Sequence, residues 1–447
     1  MLNTIGVRRE DKNPWERRVP LIPSHMRDLG HEQGLEFRVQ PSPIRIFRDE
    51  DFRLEGIPVE ESLSPCQVVL AVKEIPIPLL EPGKTYLFFS HTIKGQAHNM
   101  PMLRRLMELG CTLIDYEKIT DEQGRRLLFF GRQAGQAGMV DSLWALGQKL
   151  AGEGTPNPFS SLLQMYHYTS LVEAKEEIAE VAHRIRTEGL SDEIVPFICG
   201  FTGYGHVSQG AQEIYDLLPM EEVPAERFAA FLRGRNFSAH RVYKTVFREE
   251  HMVRPRSPRH LFELADYYEH PQDYEPLLES YLPHLILLVN GIYWAPQYPR
   301  FVTKRFIREL YAAESQPRLR VIGDISCDVE GGVEITVRST DPAAPVFTYD
   351  PETDGAVDGF VARGPAVLAV DNLPAEISLE SSVFFSQGLK PYIPALAKTD
   401  FQQPFESLEL PLPLRKAVIL HRGELTPSFS YLRSFVEASG GKDHDHA

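Results

Sequence analysis

Three ionisable side chains stand where short apolar runs give out: residues 67–72 (QVVLAV) lead to Lys73 and Glu74, residues 85–89 (TYLFF) to Ser90 and His91, and Thr112–Asp115 to Tyr116 and Glu117. Lysine, histidine and carboxylate take up and return protons near neutral pH once burial and neighbours have tuned them. Taken singly, each is most simply a satisfied polar residue at a strand end; at three equivalent ends they describe one cleft. The loop of residues 8–18 adds Arg8, Arg9, Lys12, Arg17 and Arg18 against Glu10, Asp11 and Glu16. It reads as a solvated, internally paired loop or as a clamp whose arginines take both oxygens of a carboxylate.

A second kind of site lies at residues 194–218, IVPFICGFTGYGHVSQGAQEIYDLL. An apolar run enters glycines at Gly200, Gly203 and Gly205, and apolar positions then recur at helical spacing at Val207, Ala211, Ile214, Tyr215 and Leu218. Strand, tight turn and helix in that order suit a dinucleotide pyrophosphate: Gly203 allows the reversal, Gly205 a close backbone approach, and the helix N-terminus offers N–H groups to the anion. Ser208 stands where a third glycine is usual, and Glu221 and Glu222 follow at about the distance, roughly 20 residues, of an acid that binds a ribose hydroxyl.

The elements that must position these groups are strands alternating with helices. Continuous apolar runs separated by helical stretches such as 102–109 are the pattern of a parallel sheet covered on both faces, and ligands then collect outside the carboxyl ends of the strands. A strand opens the chain, followed by the charged loop, a helix from Ser24 to Gly30 and a strand at 36–40. Residues 132–150, with small residues at Ala134, Gly135, Ala137 and Gly138, form a packing helix, and residues 152–160 (GEGTPNPFS) read as a hinge. Ser170 with Glu173 makes a capping box for a helix that ends at Gly189. Beyond the glycine turn, strands at 285–289, 320–322 and 366–370 end on Asn290, Asp324 and Asp371, while residues 228–279 carry no period. The text from Glu376 is helical. The reading is α/β: two Rossmann-like doubly wound domains, with residues 160–374 binding nucleotide and inserted into a discontinuous substrate domain of residues 1–150 plus 375–447, the active site lying in the cleft between them.

A chain of 447 residues has ample core for this. Its formal net charge of −15 argues against nucleic acid, no run approaches a membrane span, and no basic-then-apolar leader precedes the first strand, which points to the cytoplasm. The cysteines Cys66, Cys111, Cys199 and Cys327 are too scattered for a metal site and read as reduced core thiols, and the tail GGKDHDHA as a polar end.

In order and spacing, IGVRREDKNPWERRVPLIPSHM, VVLAVKE, YLFFSHTIKGQ, LIDYEKITDEQGRRLLFFG, AGQAGM, FTGYGHVSQGAQ, LVNGIYW, DISCDVEGG and VDNLPAEI resemble the lysine–ketoglutarate reductase half of α-aminoadipic semialdehyde synthase. More loosely they resemble lysine-forming saccharopine dehydrogenase and alanine dehydrogenase. The resemblance implies reductive condensation of L-lysine with 2-oxoglutarate to saccharopine in lysine degradation, by a free-standing reductase that leaves the next step to a separate glutamate-forming saccharopine dehydrogenase. It implies Lys73 and His91 as the acid–base pair and Arg18 as a substrate arginine. Glu74 and Glu117 become carboxylates that modulate the pair, Asp324 an aspartate by the nicotinamide, and Gly203, Gly205 and Ser208 the phosphate turn. His206, Val207 and Asn290 complete the cofactor set. The expected cofactor is NADP(H), with NAD(H) close behind, because Glu221 and Glu222 would repel a 2′-phosphate that Arg233, Arg235 or Arg241 would bind; no metal is expected. A related opine- or alanine-type dehydrogenase is the alternative, although NGIYW and VDNLP are foreign to the alanine pattern, and a non-catalytic nucleotide sensor is the alternative from another class.

Overall fold

The structure, a computed structural model, describes residues 4–361 and 363–440; the polar tail from residue 441 lies outside them. The chain divides into two compact units, Met1–Phe130 with Ser378–Ala447, and Gly131–Ile377.

In the first unit, five parallel strands lie in the order Glu36–Val39, Thr4–Val7, Val68–Leu70, Thr85–Phe88 and Thr112–Asp115. The four inner strands are buried on both faces, one face packing with Met26, Leu29 and Phe385, the other with Leu103, Leu106 and Leu432, while Glu36–Val39 at the edge exposes Glu36. The chain leaves Thr4–Val7 toward one edge and returns on its other side at Val68–Leu70, so the topological switch point, where ligands bind in such sheets, lies at the carboxyl ends of these two strands. The first helix runs Pro23–Gln33, past Gly30 to Gly34, whose φ of +65° ends it. The C-terminal text is not wholly helical: Val418–His421 adds an antiparallel strand beside Thr112–Asp115, and Glu424–Leu425 pairs outside it.

In the second unit an eight-stranded sheet runs Met220–Glu222, Val242–Phe247, Ile198–Thr202, Leu287–Asn290, Val321–Asp324, Ala366–Leu368, Val346–Asp350 and Gly355–Asp358; it is parallel up to Ala366–Leu368 and antiparallel beyond. Val242–Phe247, inside the stretch without a period, is a central strand, its VYKTVF run interrupted by a buried Lys244 that pairs with Asp216 at 2.7 Å. The first strand lies later than the apolar run suggests. Gly200 is inside it, where a Cβ would come within 2.6 Å of Leu285 and 2.8 Å of Phe247.

Helix Gly131–Gly152 clusters with this unit and not with the first. It crosses helix His206–Tyr215 so closely that a Cβ on Gly135 would lie 1.9 Å from the Val207 carbonyl oxygen and one on Gly210 2.1 Å from that of Arg132. The stretch after it is no hinge: Phe159 is fully buried and stacks on Phe197 at 5.1 Å. Overpacking against backbone costs about 3 kcal/mol, so Gly135→Ala is expected to lower the melting of this unit by about 6–12 °C by calorimetry. Gly205→Ala, whose Cβ would meet nothing within 4 Å, should leave it unchanged.

Candidate active site

The rim at the switch point of the first unit is built from charge that folding removes from water. Glu10, in the loop after Thr4–Val7, is buried and accepts the Val72 N–H at 2.6 Å and the Lys73 N–H at 3.0 Å, fixing the backbone that carries Lys73. Burial, then the charge of Glu16, push its carboxyl up to about 7. The Lys73 ammonium is lowered by burial first and by the Arg18 charge second, with Glu16 and Glu74 opposing. Glu74, the next residue, accepts Lys12 Nζ at 2.7 Å and meets His91 Nδ1 at 2.6 Å. Burial alone would raise its carboxyl, but the bonds from His91 and Lys12 outweigh it and hold it at about 2. One ionised carboxylate, Glu74, thus joins Lys12 and His91, with Lys73 next to it in the chain.

Arg18 is buried, but its fork is engaged within the protein: Nε donates to Glu16 Oε1 at 2.7 Å and Nη2 to Oε2 at 2.6 Å, and the guanidinium lies 4.3 Å from the Phe130 ring centroid. Glu16 thus takes two of the Arg18 nitrogens in a bidentate internal pair. Glu117 stands apart from the Lys73–Glu74–His91 group; its carboxylate pairs with Arg126. The charged loop is paired, with Arg8 on Asp11 and Arg9 on Glu61.

In the second unit Gly203 takes φ +76°, and Gly205 precedes helix His206–Tyr215, whose first N–H groups have no acceptor within the helix. Ser208 is buried and accepts a bond from Gln212 at 3.0 Å, filling the third-glycine place without facing the turn. His206 and Val207 open the helix, and Val207 lies where a Cβ on Gly291 would meet it at 3.0 Å. Asn290 and Asp324 are buried in a relay along the strand ends: Thr202 Oγ1 donates to Asn290 Oδ1 at 2.6 Å, Asn290 Nδ2 to Asp324 Oδ1 at 2.8 Å, and Thr336 Oγ1 to Asp324 Oδ2 at 2.6 Å. Burial lifts the Asp324 carboxyl to about 6. These bonds make Asp324 a buttress of the floor at the strand ends.

Glu221 and Glu222 lie on the edge strand of this sheet, and Arg241 directly precedes the strand beside it. Glu221 and Arg241 pair with each other at 2.8 Å, and Glu222 lies opposite Lys244, toward the amino end of a strand that runs on to Phe247. The three residues beyond it put the carboxyl rim roughly 10 Å farther on. At that rim, beside the first strand, stands Arg248, 5.2 Å from the Tyr204 ring and without an ion pair among the described residues. It lines a groove of about 540 Å³ with Tyr204, Gln209, Gln212, Glu250 and His251. No group of three potential metal ligands occurs among the described residues, and no helix there is long and apolar enough to cross a membrane.

Two doubly wound units, one with a glycine turn, are also the fold to which the solved structures lead. The solved structure of L-alanine dehydrogenase covers 97% of the chain with a TM-score of 0.60 at 18% identity, and the transhydrogenase of Sinorhizobium meliloti covers 95% with 0.55 at 13%. The family model for the alanine dehydrogenase/PNT N-terminal domain matches residues 6–137. The chain is similar to the α-aminoadipic semialdehyde synthases: 36% identical to that of Arabidopsis thaliana over 96% of this chain and 41% of that protein, and 33% to the mitochondrial protein of Bos taurus over 97% and 48%. It therefore spans under half the length of those relatives. It also aligns with the saccharopine dehydrogenase [NAD(+), L-lysine-forming] of Emericella nidulans, at 26% identity over 87% of this chain and 91% of that one.

Removing one partner of a buried ion pair costs about 3–5 kcal/mol, while replacing both by apolar residues is often neutral. Arg18→Met is therefore expected to lose that much stability in urea unfolding, and Glu16→Leu with Arg18→Met to recover most of it.

Proposed function

We propose that the chain is a nicotinamide-dependent lysine–2-oxoglutarate reductase, which condenses the ε-amine of L-lysine with the keto carbon of 2-oxoglutarate and reduces the resulting imine to saccharopine in lysine degradation. The observation that carries this is the Lys12–Glu74–His91 relay beside a Lys73 of lowered pKa, at the switch point of a chain aligned almost end to end with the synthases. The condensation needs a base for the attacking ammonium and an acid for the leaving hydroxyl. Lys73, brought toward neutrality, serves as one; His91, its Nδ1 engaged by Glu74, offers Nε2 as the other. The Arg18 charge, which reaches Lys73, draws a substrate carboxylate to the rim.

The second unit fits a nicotinamide nucleotide, because Gly205 leaves open space over the turn and Gly203 supplies the left-handed backbone there. When bound, that cofactor supplies the hydride. NADP(H) is the preferred form, since Arg248 stands at the ribose corner while Glu249 is buried and accepts the Tyr268 hydroxyl at 2.9 Å. NAD(H) is the second reading, favoured by Glu250 in the same groove and by the name of the Emericella relative.

A panel of amines and 2-oxo acids with nucleotide oxidation as readout tests the activity. Lysine with 2-oxoglutarate is expected to stand alone, and ammonia with a short oxo acid would instead indicate an alanine-type enzyme. Lys73→Met and His91→Gln should each lower turnover by roughly 10²–10⁴-fold with nucleotide binding retained. In direct binding by calorimetry, Arg248→Ala should weaken NADPH by about 10-fold or more and NADH by much less; equal losses for both would point to the adenine and not to the 2′-phosphate.

A further inference from the structure

The geometry points to Asp115 as a positioning residue of the acid–base rim, one buried carboxylate that grips both the turn bearing His91 and the turn bearing Glu117. Asp115 closes strand Thr112–Asp115 and is inaccessible to solvent. Its Oδ2 accepts the Ser90 N–H at 3.1 Å and the Ser90 hydroxyl, and its Oδ1 accepts the Glu117 N–H at 2.7 Å. The Ser90 hydroxyl in turn lies 2.7 Å from that of Thr92, so the residues on either side of His91 are held from below.

His91 needs such an anchor. Its φ is +49°, a left-handed backbone that costs a residue with a Cβ free energy and persists only where its surroundings over-determine it. The Asn99 amide adds a bond to the His91 carbonyl oxygen at 3.2 Å. Without the carboxylate the turn relaxes, the imidazole leaves Glu74, and the 2.6 Å contact between them is lost. Asp115 touches neither substrate nor cofactor in this scheme; it acts through His91, and the inference rests on the role proposed for that histidine.

The test is Asp115→Asn in the full chain. The amide keeps the shape but turns an N–H₂ toward N–H donors. With 15N-labelled histidine, and the His91 resonances identified by their absence in His91→Gln, the nitrogen shifts report whether Nδ1 carries the proton held by Glu74. In the variant that tautomer is expected to give way to the ordinary solution mixture. The nucleotide dissociation constant should stay within about twofold, and kcat should fall by about 10²-fold with KM changed less, the scale of a small misplacement. An unchanged tautomer in a folded variant would overturn the inference whatever the activity. A changed tautomer with undiminished turnover supports the grip and overturns instead the assignment of His91 to catalysis. If Asp115→Asn does not fold, Ser90→Ala removes the hydroxyl half of the grip alone and should show the same shift to a smaller degree.

Discussion

An ionised side chain taken out of water must be met by donors or opposite charge, and the rim of the first unit is arranged around that demand. Glu74 is anionic because Lys12 and His91 converge on it; Arg18 stays in a dry position because Glu16 is there with it; Lys73 is lowered because it is half-buried and feels the Arg18 charge, with its backbone held by Glu10. The charges come from a loop that follows one strand and from the ends of two others. Parallel pairing, which sets those strand ends side by side, is what lets residues 62 and more positions apart share one network.

Lys73, His91 and Glu74 were legible because a buried parallel strand is a continuous apolar run, and the residue that ends the run falls on the rim. The glycine turn was legible for the same reason, since Gly203 and Gly205 are demanded by backbone geometry. Glu10, Glu16 and Asp115 were not, because a carboxylate that serves backbone N–H groups or a neighbouring arginine looks in sequence like any charge in a polar loop. The one signal for Glu10 and Glu16 was the number of acids set among the arginines of residues 8–18, and for Asp115 its place as the last residue of a strand. The strand Val242–Phe247 was hidden by Lys244, whose ammonium is buried against Asp216. The helix at Gly131–Gly152 was recognised but given to the first unit, since nothing in a stripe of small residues says which partner fills the groove it opens.

The order of the second sheet has its own effect. Met220–Glu222 follows the dinucleotide helix directly but lies outside Val242–Phe247, so the strand next to the first is the third in sequence. A rule that counts about 20 residues from the glycine turn therefore arrives at Met220–Glu222, whereas the strand beside Ile198–Thr202 leads to Arg248, Glu249 and Glu250.

The antiparallel strand Val418–His421 also bears on how the polypeptide matures. It completes the first sheet beside Thr112–Asp115, yet the two are made roughly 300 residues apart, with the whole of the second unit between them. The second unit is continuous and can acquire its structure while synthesis proceeds. The first must keep an open strand edge until its last segments emerge, and during that interval Thr112–Asp115 is a template for unwanted pairing with other nascent chains. Chaperone dependence, and aggregation of truncated translation products, should accordingly arise from the first unit and not from its inserted neighbour.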